Sequence, residues 1–187
     1  MLSKVEFENA RLDCAIKQKK GLHFILASIL IWTMILVVQL LDISILTKNL
    51  FVFCCTAPLC PLAFVISKII KVDFQNKENP LTNLGIIFSI NQMLYILIAM
   101  WVYNAMPNNM LMIIAMIFGA HLMPYGWLYR SKIYFVLSVF IPISTLIVGL
   151  NFDGYVLAIF MIAVEIVFSV CLVVENKSLT VQTESMK

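Results

Sequence analysis

The chain has 187 residues, of which 62% are hydrophobic and 12% charged, with a formal net charge of +3. Soluble domains carry about 25% charged residues, so this chain cannot cover its surface for contact with water. Its apolar residues fall in runs near the ~20 residues that cross a bilayer, without the alternation typical of barrel strands. We therefore predict an all-α, polytopic transmembrane bundle.

The N-terminal 20 residues precede the first apolar run and are predicted to be a cytoplasmic segment. A cleavable signal is not expected, because the apolar run starts only at Leu22 and no small-residue cleavage site follows it. Leu2, Val5, Leu12 and Ile16 share one face of a helix, which favours a short interfacial helix. A partly disordered tail is the alternative, and the sequence does not decide between them.

Six apolar runs follow, and each is predicted to be a membrane span. They cover residues 22–41, 50–68, 81–103, 109–129, 132–150 and 154–174, and we number them spans 1 to 6. The loops between them are too short to fold as separate domains. The sequence thus predicts one six-helix transmembrane domain at 21–174 and a polar cytoplasmic tail at 175–187.

The distribution of basic residues predicts which ends of the spans face the cytoplasm. If the N-terminus is inside, twelve of the thirteen Lys and Arg residues lie on inner segments, and only Lys48 lies outside. Cytoplasmic loops are enriched in basic residues in this way. We predict that both termini are cytoplasmic, in a multi-pass protein of a cell inner membrane. The positive charge then lies near anionic headgroups and does not indicate nucleic acid.

Spans 2 and 4 share a sequence pattern. Residues 57–64 and 120–127 both read Ala-x-Leu-x-Pro-x-small-aromatic, and Ser-Lys-Ile follows at 67–69 and 131–133. The pattern suggests a repeat of helical hairpins related by an axis along the membrane normal. Proline removes a backbone donor and bends helices. Kinks are therefore predicted at Pro58, Pro61, Pro124 and Pro142.

Four polar side chains share the depth of the bilayer centre. Glu165 lies eleven residues into span 6 and His121 twelve residues into span 4, about 17 Å from the outer boundary at ~1.5 Å per residue. Asn91 and Gln92 lie about ten residues into span 3 from the opposite face. Ionisable residues at this depth are functional candidates by default. We expect Glu165 to lie within direct or one-water reach of His121, Asn91 or Gln92.

Residues four apart share a helix face, which adds a second polar residue to three of these positions. The candidate transport or proton-handling residues are therefore Glu165, His121, Asn91, Gln92, Tyr125, Tyr95 and Ser169. In one interpretation, Glu165 carries an exchangeable charge and His121 is its partner. In the other, these side chains only hold helices together by hydrogen bonds.

The segment from His121 to Tyr129 reads His-Leu-x-Pro-Tyr-x-Trp-Leu-Tyr. It resembles a segment of small uncharacterised six-span bacterial inner-membrane proteins of about this length. The resemblance implies the same layout. It implies no activity.

The chemistry-bearing motifs of common enzyme classes do not occur in the sequence. There is no HExxH, no Walker loop and no pair of catalytic aspartates, and His121 with Glu165 are too few to hold a metal. We expect no metal and no cofactor. The leading hypothesis is a small transporter, coupled to protonation of Glu165, for a small solute or ion. Its partners would be the lipid bilayer and a second copy of the chain.

Two other function classes stay open. The first is a non-catalytic interaction, sensor or immunity protein whose polar cluster only fixes packing, and the second is an embedded enzyme. The transport hypothesis predicts a polar cavity that reaches Glu165. The interaction hypothesis predicts a dry bundle in which Glu165 is fully paired.

Overall fold

A computed structural model describes the backbone of residues 3–184 and the side chains of residues 3–179. In this part of the chain all regular structure is helical. The helices are α1 (Lys4–Lys17), α2 (Leu22–Leu40), α3 (Ile45–Thr56), α4 (Leu59–Ile69), α5 (Thr82–Ala105), α6 (Met110–Ala120), α7 (Leu122–Leu128), α8 (Lys132–Asn151) and α9 (Gly154–Glu184).

The six predicted spans are confirmed as helices long and apolar enough to cross a membrane. In the described residues they are Lys19–Leu40, Ile45–Ile69, Thr82–Ala105, Pro107–Leu128, Lys132–Asn151 and Gly154–Leu179. The all-α fold class is therefore confirmed. The cytoplasmic position of the two termini remains a prediction.

The N-terminal segment forms a helix that packs on the bundle. Ser3 caps α1 and exchanges hydrogen bonds with Glu6 in a capping box. The Arg11 guanidinium lies over the Trp127 ring at 4.5 Å from its centroid and donates to the Trp127 carbonyl. Of the predicted apolar face, Val5 is exposed and Leu2 lies outside the described residues. The polar and aromatic contacts of α1 therefore hold it against α7.

The last helix extends beyond the predicted span. Helix α9 continues to Glu184, ten residues past the predicted end at 174. Residues 175–184 of the predicted tail are thus helical, and 185–187 lie outside the described residues. Contacts of Glu175 hold this part of the helix against the bundle. Glu175 pairs with Lys20 at 2.7 Å and accepts from Ser131 Oγ at 2.6 Å.

Spans 2 and 4 are each divided into two helices at the position of the shared pattern. Helix α3 ends at Thr56, and α4 begins at Leu59 with Pro58 as its N-cap. Helix α6 ends at Ala120, and α7 begins at Leu122 with His121 as its N-cap. In both, the third residue of the new helix is a proline, at 61 and 124. The first turn is where proline is tolerated, so these prolines lie beside breaks between helices.

The same two spans also end alike. The residues after the C-caps, Lys71 and Arg130, have φ of 54° and 50°. The next residues donate back across the turn, Val72 to Ser67 at 2.8 Å and Ser131 to Gly126 at 3.0 Å. This is the Schellman arrangement.

The Ser-Lys-Ile part of the sequence pattern does not correspond between the two spans. Ser67 lies inside α4, whereas Ser131 is the N-cap of α8. Helix α7 has seven residues and α4 has eleven, so a sequence alignment through this region passes over a difference of about one turn. The matching parts are the helix break, the proline and the terminal turn.

Pro142 behaves differently from the other prolines. It lies inside α8, which continues from Lys132 to Asn151. The ring packs against Gly119 of α6, where an added Cβ would come within 2.6 Å of Pro142 Cδ. Helices α6 and α8 can therefore approach closely at this point.

The spans differ strongly in how much of their surface other helices cover. Within the most apolar window of each span, 56% of residues are buried in the first span and 11% in the third. Helix α2 packs along α9 at the centre of the bundle, and α5 packs mainly on α6 and α7 at its edge. The most enclosed part of the bundle therefore lies around α2 and α9, while most of the surface of α5 is not covered by other helices.

Candidate functional site

Glu165 lies at the centre of the bundle, on the side of α9 that faces α2. Its side chain is completely buried. The direct partner is Ser28 of α2, whose Oγ lies 2.6 Å from Glu165 Oε2. Within the described residues Glu165 thus has a direct hydrogen bond to a serine and none to His121, Asn91 or Gln92, while the expected one-water reach to these three residues stays a prediction.

Ser28 makes a second contact, which gives information on the protonation state of Glu165. Ser28 Oγ also lies 2.8 Å from the carbonyl oxygen of Ile25. A hydroxyl has one hydrogen, and a carbonyl oxygen can only accept. Ser28 can therefore donate to the Ile25 carbonyl and to the Glu165 carboxylate only by sharing its hydrogen, whereas a proton on Glu165, donated to Ser28, gives each contact a hydrogen of its own. The geometry therefore fits the neutral form of Glu165.

The other carboxyl oxygen is also buried. Glu165 Oε1 and Ser169 Oγ both have no hydrogen-bond partner among the described residues. Ser169 is one turn further along α9 and is also buried, in line with the predicted stripe. We call Glu165, Ser28 and Ser169 the carboxyl site. Buried polar atoms without protein partners are uncommon, and an ordered water or a functional role accounts for such atoms in proteins.

His121 lies at the break between α6 and α7. Its Nδ1 contacts the carbonyl of Phe118, and because a carbonyl only accepts, Nδ1 carries a hydrogen in this contact. The ring meets Tyr125 edge to face, with centroids 5.9 Å apart. In the described part of the chain its hydrogen bonds do not join it to Glu165. The structure therefore places His121 beside Tyr125, as the four-residue spacing predicts, without a direct hydrogen bond to the carboxyl site.

Asn91, Gln92 and Tyr95 lie on α5, away from the carboxyl site. Asn91 is exposed, and its Nδ2 donates to Tyr95 Oη at 3.2 Å. The predicted cluster is thus divided into a carboxyl site, a His121–Tyr125 pair and an Asn91–Tyr95 pair. Equal depth was the basis of the prediction, but depth does not say in which direction around the bundle a side chain points. The proposed roles of these residues remain predictions.

Sequence reasoning missed Ser28. A single serine in an apolar span is common and usually bonds its own helix, as Ser28 also does with Ile25. The only signal in the sequence was a hydroxyl within the first span. Its value depends on the packing of α2 against α9, which the sequence alone does not give.

A cavity of about 560 Å³ lies where α2, α5 and α7 meet the loop before α5. Its lining combines aromatic and polar side chains, among them Gln18, Phe24, Phe74, Ser89, Tyr125 and Tyr129. The volume falls within the range of small-molecule sites. Glu165 is not among the lining residues, so this cavity is not the polar cavity reaching Glu165 that the transport hypothesis predicts.

Two tyrosines of the cavity wall are fixed by hydrogen bonds. Tyr125 Oη donates to the Gly85 carbonyl at 3.1 Å and lies 2.6 Å from Ser89 Oγ. Tyr129 Oη donates to Gln18 Oε1 at 2.8 Å. The wall is therefore held by α5 on one side and by the end of α1 on the other.

A row of aromatic rings connects the cavity with α9. Tyr125 stacks on Tyr129 at 6.0 Å, Tyr129 contacts Tyr134 at 5.9 Å, and Tyr134 contacts Phe168 at 4.8 Å. Phe168 follows Glu165 by three residues, so it lies nearly one turn along α9. A displacement of the cavity wall would therefore shift packed side chains close to the carboxyl site.

The comparisons with known proteins place the chain in a family without adding an activity. No curated protein and no solved structure matches it. A family model matches residues 7–175, which is nearly the whole chain and includes the carboxyl site and the cavity. The chain therefore belongs to a family of unknown function (DUF7010).

Proposed function

We propose that the protein is a proton-coupled transporter of a small solute or ion, with Glu165 as the group that binds and releases the proton. The observation that carries the proposal is the environment of Glu165. It is completely buried at the contact of α2 with α9, one oxygen lies 2.6 Å from Ser28, and the other has no partner among the described residues. The neighbouring cavity of about 560 Å³ is the proposed solute site.

The protonation state of Glu165 changes the contact between α2 and α9. The neutral acid donates to Ser28 and leaves the Ser28 hydrogen on Ile25. After the proton leaves, the carboxylate needs donors, and an isolated charge in this environment is very unfavourable. Ser28 must then turn away from Ile25, or water must enter. The protonated and deprotonated forms of Glu165 thus favour different conformations of the contact between α2 and α9. Two such conformations are required if proton binding is to be coupled to a transport step.

The row of aromatic rings connects the cavity wall with the contact between α2 and α9 that changes when Glu165 loses its proton. Tyr134 packs on Phe168 of α9 and contacts Tyr129 of the cavity wall. A solute that displaces Tyr129 would therefore alter the packing of α9 next to Glu165. Coupling of this kind requires that the solute prefers one of the two conformations.

Infrared spectroscopy of the purified protein tests whether Glu165 is protonated. A neutral, buried carboxyl gives a C=O stretching band separate from that of carboxylates. We expect such a band in the wild type and its loss in Glu165→Gln. Asp153→Asn, which changes an exposed acid immediately before the start of α9, should keep it. An unchanged band in Glu165→Gln would contradict the neutral form.

Transport is tested by current measurements on proteoliposomes adsorbed to a solid-supported membrane. Concentration jumps of Na⁺, K⁺ and Li⁺, and of a panel of small neutral and charged organic solutes, are applied with and without a pH gradient. At least one should give a current that depends on the gradient. Glu165→Gln should lower the pH-dependent part at least tenfold, whereas Asp153→Asn should retain it.

Two results would overturn the proposal. One is the absence of any solute-dependent current in the wild type. The other is a Glu165→Gln variant with the same pH-dependent current as the wild type. In both cases the contact between Glu165 and Ser28 would only join α2 to α9, as interhelical hydrogen bonds commonly do.

A further inference from the structure

Helix α5 exposes polar groups at mid-membrane depth. Asn91 is exposed, Tyr95 is 38% exposed, and 11% of the residues in the most apolar window of this helix are buried. Their surroundings on the helix surface are apolar. An amide on a lipid-facing surface is unfavourable because hydrocarbon offers no hydrogen-bond partners.

The Asn91–Tyr95 pair satisfies only part of its hydrogen-bonding capacity. Asn91 Nδ2 donates to Tyr95 Oη at 3.2 Å. Within the described residues, Asn91 Oδ1 accepts no hydrogen bond and the Tyr95 hydroxyl donates none. Asn91 is therefore left with its carbonyl acceptor and one of its two N–H donors unused, and Tyr95 with its hydroxyl donor unused.

Thr33, which is exposed, and Ser144, which is half-buried, do not have this problem. Thr33 Oγ1 donates to the Ile29 carbonyl at 2.8 Å, and Ser144 Oγ donates to the Phe140 carbonyl at 2.6 Å. Both side chains are thus satisfied by their own helix, and both tolerate contact with lipid. The Asn91–Tyr95 pair cannot be explained in the same way.

We propose that a second copy of the chain packs on the face of α5 that contains Asn91, and that the two copies exchange hydrogen bonds from Tyr95 Oη to Asn91 Oδ1. The unused donor and the unused acceptor are one helical turn apart on the same chain, so the surface is complementary to itself. Two copies inserted in the same direction have these residues at the same depth. Because Asn91 Nδ2 and Tyr95 Oη lie 3.2 Å apart, the donor and the acceptor share nearly one depth, and a two-fold axis along the membrane normal brings each donor towards the acceptor of the other copy.

The apolar residues next to Asn91 extend the same face. Ile87, Leu94 and Ile98 lie at positions −4, +3 and +7 from it and are 57%, 59% and 48% exposed. Residues at these spacings form one stripe along a helix. The stripe provides van der Waals contact on either side of the polar pair, and such contact drives helix association in lipid. The proposal does not depend on the proposed transport function.

The interface is tested by photo-crosslinking in native membranes. A benzophenone amino acid replaces Ile98 on the proposed face, or Met93, which is 64% exposed on the opposite side of α5. We expect crosslinked dimers of the chain from position 98 and at least fivefold fewer from position 93. Equal yields at both positions, or crosslinks from 98 to a different protein only, would overturn the proposal.

The hydrogen bonds are tested by counting subunits in planar bilayers with single-molecule photobleaching. The double variant Asn91→Leu with Tyr95→Phe should lower the dimer association constant at least tenfold. Thr33→Val, an exposed polar residue satisfied by its own helix, should leave it unchanged. Crosslinking from position 98 needs neither polar substitution, so it decides the question even if the double variant does not fold. A wild type that is monomeric at all densities would also overturn the proposal.

Discussion

Helices α9 and α5 are both long and apolar, and each has polar residues near its middle, yet they have opposite positions in the bundle. Glu165 of α9 is completely buried against α2, whereas Asn91 of α5 is exposed at the edge. The difference lies in the neighbouring helix. Ser28 lies opposite Glu165, while α5 packs on α6 and α7 with Asn91 directed elsewhere. Hydropathy predicts that a helix is in the membrane, and its neighbours determine which face meets lipid.

The largest effect is expected from equal truncations on the two helices. Leu172→Ala on α9 removes a completely buried side chain, so the free energy of unfolding should fall by about 2–5 kcal/mol. Leu97→Ala on α5, at 63% exposure, should change it by less than about 0.5 kcal/mol. Unfolding of both variants by SDS in mixed micelles measures this. Equal losses would show that α5 is enclosed like α9.

The next effect concerns the polar contacts that attach α9 and α5 to the rest of the bundle, at the end of each helix that is predicted to be cytoplasmic. Lys20 is 4% exposed and pairs with Glu175 of α9 at 2.7 Å. Lys20→Met leaves this carboxylate without its charge partner, and we expect a loss of about 3 kcal/mol. Tyr125→Phe removes hydrogen bonds to α5 and should cost about 1 kcal/mol.

The same unfolding assay compares the two substitutions. As a control, Lys20→Met is combined with Glu175→Leu, which removes the unpaired charge and should recover part of the stability. A smaller loss in Lys20→Met than in Tyr125→Phe would contradict the assignment of this ion pair as the stronger attachment.

Glycine substitutions give a smaller difference between the interior and the edge. In Gly119→Ala the new Cβ would meet Ile141 and Pro142 of α8 at 2.6–2.7 Å, and overpacking should lower stability by about 1–3 kcal/mol. In Gly85→Ala on α5 the nearest atom is 3.4 Å away, so the better helix propensity of alanine should leave stability unchanged or raise it by up to ~1 kcal/mol. Thermal unfolding followed by circular dichroism distinguishes the two. If Gly85→Ala lowered the stability and Gly119→Ala did not, the assignment of Gly119 to the interior and Gly85 to the edge would be wrong.

The smallest effect is a pH dependence at the start of α5. Asp13 of α1 accepts from Asn76 and Asn79, just before α5. Burial by itself raises the pKa of Asp13, but these amides and Lys17 together bring it below the usual value of 3.8. A lowered pKa stabilises the folded state above the unfolded pKa, and this contribution is lost as the pH falls through the lower, folded pKa.

Hydrogen exchange measured on either side of the usual pKa tests this expectation. Below that pKa, residues 76–85 should exchange faster than they do near neutral pH, after correction for the intrinsic rate, while 157–172 of α9 should not change. In Asp13→Asn the difference should disappear. An equal response of both segments would indicate general acid unfolding.

The sequence predicted the six spans and an irregularity at the prolines of spans 2 and 4, but not the carboxyl site. Long apolar runs and the polar residues between them are local signals, and they gave the helices to within a few residues. The prolines at 61 and 124 marked where spans 2 and 4 divide, since proline disrupts the hydrogen bonds of the preceding turn. The helical extension to Glu184 was missed because Glu175 looks like the start of a polar tail. Its partner Lys20 is 155 residues away.

The contacts between helices were harder to predict for a physical reason. Depth follows from counting residues, so Glu165, His121 and Asn91 were correctly expected to be polar groups far from the ends of their spans. The direction of each side chain depends on which helices are neighbours, and interior contacts in a membrane lack a strong hydrophobic signal. Ser28, with one short side chain, became part of the site only through the packing of α2 on α9.

The left-handed residues Lys71 and Arg130 illustrate a conflict between folding and insertion. At a position with φ near +50°, glycine is the most favourable residue. Here both positions hold a basic residue instead, and both lie on loops that the charge distribution predicts to be cytoplasmic. Replacement by glycine should ease the turn and at the same time weaken the signal that orients the chain. At both positions a less favourable backbone conformation thus coincides with a positive charge that the predicted orientation places at the cytoplasmic surface.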